Sequence, residues 1–124
     1  MALISGERSI TGQSPRKNKN AQWNDCQITT LHRDIRTPGC TVPFDFCFAA
    51  DVTYDPILQT AIPQFLATYL SPTGQAWCAE SVRTNDTTFQ ETCVALGFKI
   101  QESLRYESDE GHRIPIRLTC VSKA

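Results

Sequence analysis

The sequence predicts an α/β domain in which parallel strands, joined through helices, lead into a C-terminal antiparallel hairpin. Two observations carry that prediction. From residue 44 onward, short apolar runs of strand length alternate with stretches whose apolar residues recur at helical spacing, the pattern of β–α–β units. The last two strand-like runs are then separated only by a short polar turn, which cannot accommodate a crossover and so sets them antiparallel. Right-handed crossovers through helices set the preceding strands parallel.

Taken in order, residues 1–24 contain Gly, Ser, Pro, Lys and Asn without hydrophobic periodicity and read as a disordered or loosely attached tail. Trp23 reads there as a plug for a surface groove. Residues 25–43 hold a short strand, CQITTL, followed by a turn at Thr37, Pro38 and Gly39. Residues 44–124 carry the domain proper. Phe44 to Ala50 is almost continuously apolar, as expected of a strand buried on both faces of a parallel sheet. Asp55 and Pro56 then supply an N-cap acceptor and a first helical residue that needs no N–H. Ile57, Leu58, Ala61, Ile62, Phe65, Leu66, Tyr69 and Leu70 form one helical stripe. Pro63 is expected to kink that helix or split off its first turn, and Ser71, Pro72, Thr73 and Gly74 to end it.

Residues 75–82, QAWCAESV, form the next strand candidate. Thr84, Asn85 and Asp86 offer caps for a second helix with Phe89, Cys93, Val94 and Leu96 facing inward, stopped by Gly97. Residues 99–106 read as an edge-like strand and residues 107–112 as a polar turn. Residues 113–121 form the last strand, with Ile114, Ile116, Leu118 and Cys120 on one face and Arg117 and Thr119 on the other.

Composition narrows the function classes. Hydrophobic residues make up 40% and charged residues 20% of 124 positions, ordinary for a globular domain. A formal net charge of −1 supplies no field for nucleic acid or an anionic membrane, and Arg16, Lys17 and Lys19 read as a solvated segment. No run approaches the ~20 apolar residues that span a bilayer. Cys26, Cys40, Cys47, Cys78, Cys93 and Cys120 are spaced more widely than a zinc-ligand pair, so no metal site is expected. Three of them, Cys47, Cys78 and Cys120, sit in strand-like apolar runs, where a thiol acts as a small hydrophobe. Residues 1–15 hold no apolar signal-peptide segment, so a reducing, cytoplasmic compartment is expected. His32 and His112 stand isolated and receive no role.

The segment FDFCFAADVTYDP, at residues 44–56, resembles the fourth-strand motif of the seven-strand protein-lysine methyltransferases, in which a hydrophobic strand ends in an acid with an aromatic residue three positions on. Residues 79–98, AESVRTNDTTFQETCVALGF, are similar to the fifth strand and following helix of that group. Val82, Arg83, Thr84 and Asn85 look like the string that follows the fifth strand in the elongation factor 2 lysine methyltransferase branch, with one residue inserted.

The resemblance covers residues 44–124 and implies a partial Rossmann-like class I methyltransferase sheet. The implied cofactor is S-adenosyl-L-methionine, and the implied partner is a protein substrate bearing a lysine, such as a translation factor. The implied catalytic residues are Asp51, which orients the lysine amine, and Tyr54, which shapes its channel. Taken without the surrounding pattern, the same two would serve as a turn residue and a half-buried packing residue. Lysine methylation is an in-line attack by a neutral amine on a sulfonium methyl group, so positioning and electrostatics dominate, and an aromatic ring tolerates the nearby cation. Ala50 and Asp34 are the implied cofactor contacts. Ile35 departs from the family, where tryptophan commonly follows that acid. The fold also admits a small-molecule or nucleic-acid acceptor, although no basic, aromatic-interleaved patch supports nucleic acid.

The family's cofactor grip is a glycine-rich turn after its first strand, and no G-x-G occurs in this sequence. The chain is therefore expected to lack the N-terminal cofactor-binding strands, to be a truncated form, and to bind cofactor weakly or not at all by itself. Without a first strand, Phe44 to Ala50 would lie at an open edge. Both helices would cover one sheet face, leaving the other bare for a partner chain. A non-catalytic, methyltransferase-derived interaction protein that docks through its open sheet is the alternative reading.

Overall fold

The computed structural model describes residues 2–5, 9–10, 22–25, 34–37, 39, 43–82, 86–109 and 112–124. Its elements run β1 (Ala2–Ser5), β2 (Ser9–Ile10), β3 (Phe44–Ala50), α1 (Pro56–Tyr69), β4 (Leu70–Ser81), α2 (Thr88–Ala95), β5 (Phe98–Asp109) and β6 (His112–Lys123). The strands form one mixed sheet in the order β2-β1-β3-β4-β6-β5. The expected α/β arrangement is present: β3 and β4 are parallel, and β6 pairs antiparallel with both β4 and β5. The hairpin is longer than expected, because pairing continues to Asp109 opposite His112. The short CQITTL strand falls outside the described residues.

The N-terminal reading needs correction. Residues 1–24 are not uniformly a loose tail, and β3 is not an open edge. Strand β1 lies parallel beside β3, with Ala2 opposite Cys47, Leu3 opposite Phe48 and Ile4 opposite Ala49, and β2 pairs antiparallel with β1. A buried central strand must satisfy the N–H and C=O groups along both its sides, and ALIS satisfies part of one. Four residues are too few to register as a periodic pattern. Trp23, expected to plug a groove, is exposed.

Helix α1 begins as its sequence implies. The Asp55 carboxylate accepts from the Ile57 N–H at 2.9 Å, and Pro56 takes the first helical position. The helix is continuous through Pro63, so its first turn is not split off. An interior proline costs about 3 kcal/mol. Burying the nearly inaccessible Leu58, Ile62 and Leu66 returns roughly 1.5–3 kcal/mol each, so packing prevails over local propensity. The helix passes directly into β4 at Leu70, where Phe44 pairs with Leu70 but Phe46 pairs with Gln75. The slack is absorbed around Gly74, where an added Cβ would lie 2.8 Å from Leu70 Cδ1 and 3.0 Å from the Asp45 carbonyl oxygen.

Helix α2 is shorter than its sequence suggests. Phe89 and Cys93 are buried, but Val94 and Leu96 are exposed, because Val94 lies off the inward stripe and the helix ends at Ala95. Gly97 follows at φ 87°, as a helix-terminating glycine should.

Both helices pack on one face of the sheet. The core there joins Cys47 and Ala49 of β3, Ala76 and Cys78 of β4, Phe98 of β5 and Val121 of β6 to the inner sides of α1 and α2. On β6 this is the face of Arg117 and Thr119, not that of Leu118 and Cys120, since Arg117, Thr119 and Val121 pair with Glu80, Cys78 and Ala76. The opposite face leaves Phe46 51%, Phe48 39% and Trp77 39% exposed.

Candidate functional site

Strands β3 and β4 run parallel and end at the same rim of the sheet, at Ala50 and Ser81. In open α/β sheets this carboxyl rim is where ligands bind. The β3–α1 connection, residues 51–55, is built to present side chains there. The Asp51 N–H donates to the Ala79 carbonyl at 2.7 Å, extending the ladder one residue past β3. Asp51 then turns the chain at φ 53°, a left-handed conformation that aspartate tolerates better than most residues. Val52 and Thr53 point inward and are 1% and 4% exposed, whereas Asp51 is exposed and Tyr54 is 59% exposed. Asp55 closes the loop as the N-cap of α1.

Beside this loop lies a cavity of about 220 Å³. Its wall is a connected set of polar side chains from five parts of the chain. Glu80 of β4 accepts from Arg117 of β6 through Oε1 at 3.2 Å, and its Oε2 accepts from the Thr53 hydroxyl. Arg117 Nη1 also lies 3.5 Å from the Asp86 carbonyl oxygen. Asp86 Oδ2 accepts from Gln59 Nε2 of α1 at 2.7 Å, and its Oδ1 accepts from the N–H and hydroxyl of Thr88 at 2.9 and 2.6 Å. Tyr54, Ser81 and Val82 complete the lining.

The electrostatics follow from these contacts. The Arg117 and Glu80 side chains are 14% and 16% exposed. Charges so far removed from water persist only when paired and hydrogen-bonded. The Thr88 hydroxyl, its backbone N–H and then Gln59 hold Asp86 below the usual carboxylate range. The wall carries two carboxylate side chains, Glu80 and Asp86, against one guanidinium, Arg117, a formal charge of −1. An anionic, aromatic-flanked cavity suits an amine or another cation better than an anion.

Of the residues singled out from sequence, the structure brings Ala50, Asp51 and Tyr54 together at the end of β3. Tyr54 lines the cavity, whereas Asp51 is not among its lining residues. Ala50 is the last strand residue and pairs with Ala79. Asp34 stands in a tight turn, where Arg36 Nη2 lies 2.6 Å from its Oδ2 and Arg36 Nε 3.0 Å from its Oδ1. The neighbouring Ile35 is 2% exposed and joins the core. Sequence reasoning missed Thr53, Gln59, Glu80, Asp86 and Arg117. Glu80 and Arg117 did leave a signal: each is a charged residue inside an apolar strand run, where only a partner makes burial tolerable. Among the described residues no group of three or more His, Cys, Asp or Glu side chains could hold a metal ion, and no helix is long and apolar enough to cross a membrane.

No family model and no curated protein matches the sequence. The fold does match solved structures. Precorrin-6y C5,15-methyltransferase from Geobacter metallireducens aligns with a TM-score of 0.65 at 12% identity, over 86% of this chain and 59% of that one. Precorrin 8W decarboxylase from Methanobacterium thermoautotrophicum aligns at 0.63 and 17% identity, over 90% and 67%. Magnesium protoporphyrin IX methyltransferase from Synechocystis, a structure with bound S-adenosylmethionine, aligns at 0.59 and 16% identity, over 86% and 52%. The chain therefore has an α/β, Rossmann-like fold of the methyltransferase type, and it spans between about half and two-thirds of the length of these structures.

Proposed function

We propose that this chain carries the acceptor side of an S-adenosylmethionine-dependent methyltransferase acting on a protein lysine in the cytoplasm. The observation that supports this most is the Asp51–Tyr54 motif at the carboxyl end of β3, beside an anionic cavity of about 220 Å³. The fold likeness to methyltransferases, one of them with bound S-adenosylmethionine, supports the reaction class and the cofactor. The motif resemblance alone supports lysine, and with it a translation factor as the protein substrate.

The acceptor side fits that chemistry. A carboxylate at Asp51 orients an incoming amine, and the Tyr54 ring lines its approach and faces a cation favourably. Cavity charge draws the substrate in as an ammonium ion, from which a proton must be lost before attack. The bound cofactor supplies an electrophilic methyl group on sulfur.

The cofactor side fits less well. Ala50 offers backbone at the strand end, Asp34 is engaged by Arg36, and the sequence holds no G-x-G turn. We therefore expect S-adenosylhomocysteine to bind this chain weakly, with a dissociation constant on the order of 1 mM. Isothermal titration of the purified chain, with circular dichroism confirming that it is folded, tests this. Weak saturable binding agrees with the reading. Tight one-to-one binding would show a complete cofactor grip and contradict the expected weakness. Absence of binding to the folded chain would remove the cofactor from the account.

One observation favours a second reading. Phe46, Phe48 and Trp77 are partly exposed on the sheet face turned away from α1 and α2, which suits a non-catalytic protein that docks on a partner there. Co-purification of a stoichiometric partner, together with failure to bind S-adenosylhomocysteine, would favour it.

A further inference from the structure

Glu80 occupies an unusual place. Its two carboxylate oxygens face different parts of the molecule: Oε1 accepts from Arg117, its register partner on β6, while Oε2 accepts from Thr53 in the β3–α1 loop. An ion pair serving only to join two strands would need Arg117 alone. The second bond reaches past the sheet to a residue that is 4% exposed and stands immediately before Tyr54 and two positions after Asp51. We infer that Glu80 is a positioning residue: held in place by Arg117, it fixes the Asp51–Tyr54 loop through the Thr53 hydroxyl.

The physical case rests on what that loop must withstand. Asp51 sits in the left-handed region at φ 53°, which costs an L-residue energy wherever the surroundings do not impose it. The backbone bond from the Asp51 N–H to Ala79 secures the start of the turn, and the Asp55 N–H to Val52 carbonyl contact is long at 3.4 Å. Burial of Val52 and the Thr53–Glu80 bond together secure the middle. A hydrogen bond to a charged acceptor is among the stronger kinds. Arg117 matters because it occupies the other oxygen, leaving Oε2 directed at the loop. Arg117 lies on the face that carries Val121 of the core, so the loop is referenced to the best-packed part of the sheet.

The inference rests on the proposed methyl-transfer site for its functional meaning, but its test reads the loop without any ligand. Backbone amide exchange, followed by NMR, is compared for the parent chain, Thr53→Val and Thr53→Ser. Valine removes the hydroxyl at nearly constant volume, and serine restores it. Thr53→Val should raise exchange at Asp51 and its loop neighbours by about tenfold, the equivalent of one charge-assisted hydrogen bond. Val121 and its neighbours in β6 should exchange at the parent rate, and Thr53→Ser should return the loop to it. Unchanged loop exchange in Thr53→Val, an equal rise in β6, or failure of serine to restore the loop would each overturn the inference.

If Thr53→Val does not fold, Glu80→Gln carries the same comparison, because its amide keeps one acceptor oxygen and loses the charge. A smaller rise confined to the loop supports the inference, and no rise or a global one overturns it. S-adenosylhomocysteine added to the same samples separates the two ideas. A parent chain showing no ligand-dependent shifts defeats the methyl-transfer reading, while the exchange pattern still decides whether Glu80 positions the loop.

Discussion

The two sides of β3 differ sharply. Toward β4 the strand is paired from Phe44 to Ala50, backed by the twelve-residue strands β6 and β5 and covered by two helices. Toward β1 it is paired, among the described residues, at three positions with a strand of four residues. The candidate site follows the same division. Every residue of the Glu80–Arg117 network lies on the β4 side or in the loop leading to α1, whereas the cofactor contacts implied by the family resemblance reduce to Ala50 and an Asp34 engaged by Arg36. The β4 side of β3 thus carries the polar network and the cavity beside it, whereas the β1 side is the more briefly paired.

That comparison can be broken most forcefully at the packed side. Ile62 and Leu66 of α1 are 0% and 1% exposed, and truncating either to alanine should cost about 2–5 kcal/mol, read from the urea midpoint. Gly74→Ala comes next. The new Cβ must displace Leu70 or the Asp45 carbonyl, and about 1–3 kcal/mol of destabilisation is expected from such overpacking. Thermal melting checks it, and a variant as stable as the parent would mean that the bulge yields easily. Removal of residues 1–10 acts on the other side. It should leave the β4 side folded but expose the β3 edge, so sedimentation should show concentration-dependent association.

A smaller effect concerns the buried thiols. Desolvation pushes Cys47 and Cys93 from 9.0 up to about 12. Below pH 9 both folded and unfolded thiols are protonated, and these cysteines leave stability independent of pH. Between about pH 9 and 12 the unfolded thiols lose protons while the folded ones keep them, so stability should fall as pH rises. Cys→Ser variants should lose that part of the slope. Smallest of all, Asp51→Gly relieves the left-handed turn and should stabilise the chain by up to about 1 kcal/mol while removing the carboxylate proposed to orient the amine.

Much of this architecture was legible in residues 44–124. Apolar runs, the Asp55–Pro56 cap and Gly97 marked the strands and helices, because each acts through local chemistry. Pro63 misled, since its cost is local but its compensation, burial among Leu58, Ile62 and Leu66, is tertiary. Strand β1 escaped notice because four residues carry too little pattern to separate from a tail. At the candidate site, the loop that holds Asp51 and Tyr54 was legible as the link between a strand end and a capped helix. Glu80 and Arg117 stood out only as charges in apolar strand runs, and their link to Thr53 was not legible, because it exists only once β4 and β6 are in register and the loop has folded against them.

The most direct test of the central claim is a map of amide chemical-shift changes as S-adenosylhomocysteine is added to the folded chain. Changes are expected to concentrate at the carboxyl rim, from Ala50 to Tyr54 and around Glu80 and Ser81, with Phe46, Phe48 and Trp77 on the face away from α1 and α2 little affected. Changes centred on that opposite face, or none at ligand concentrations of several millimolar, on the order of the expected dissociation constant and above, would contradict this.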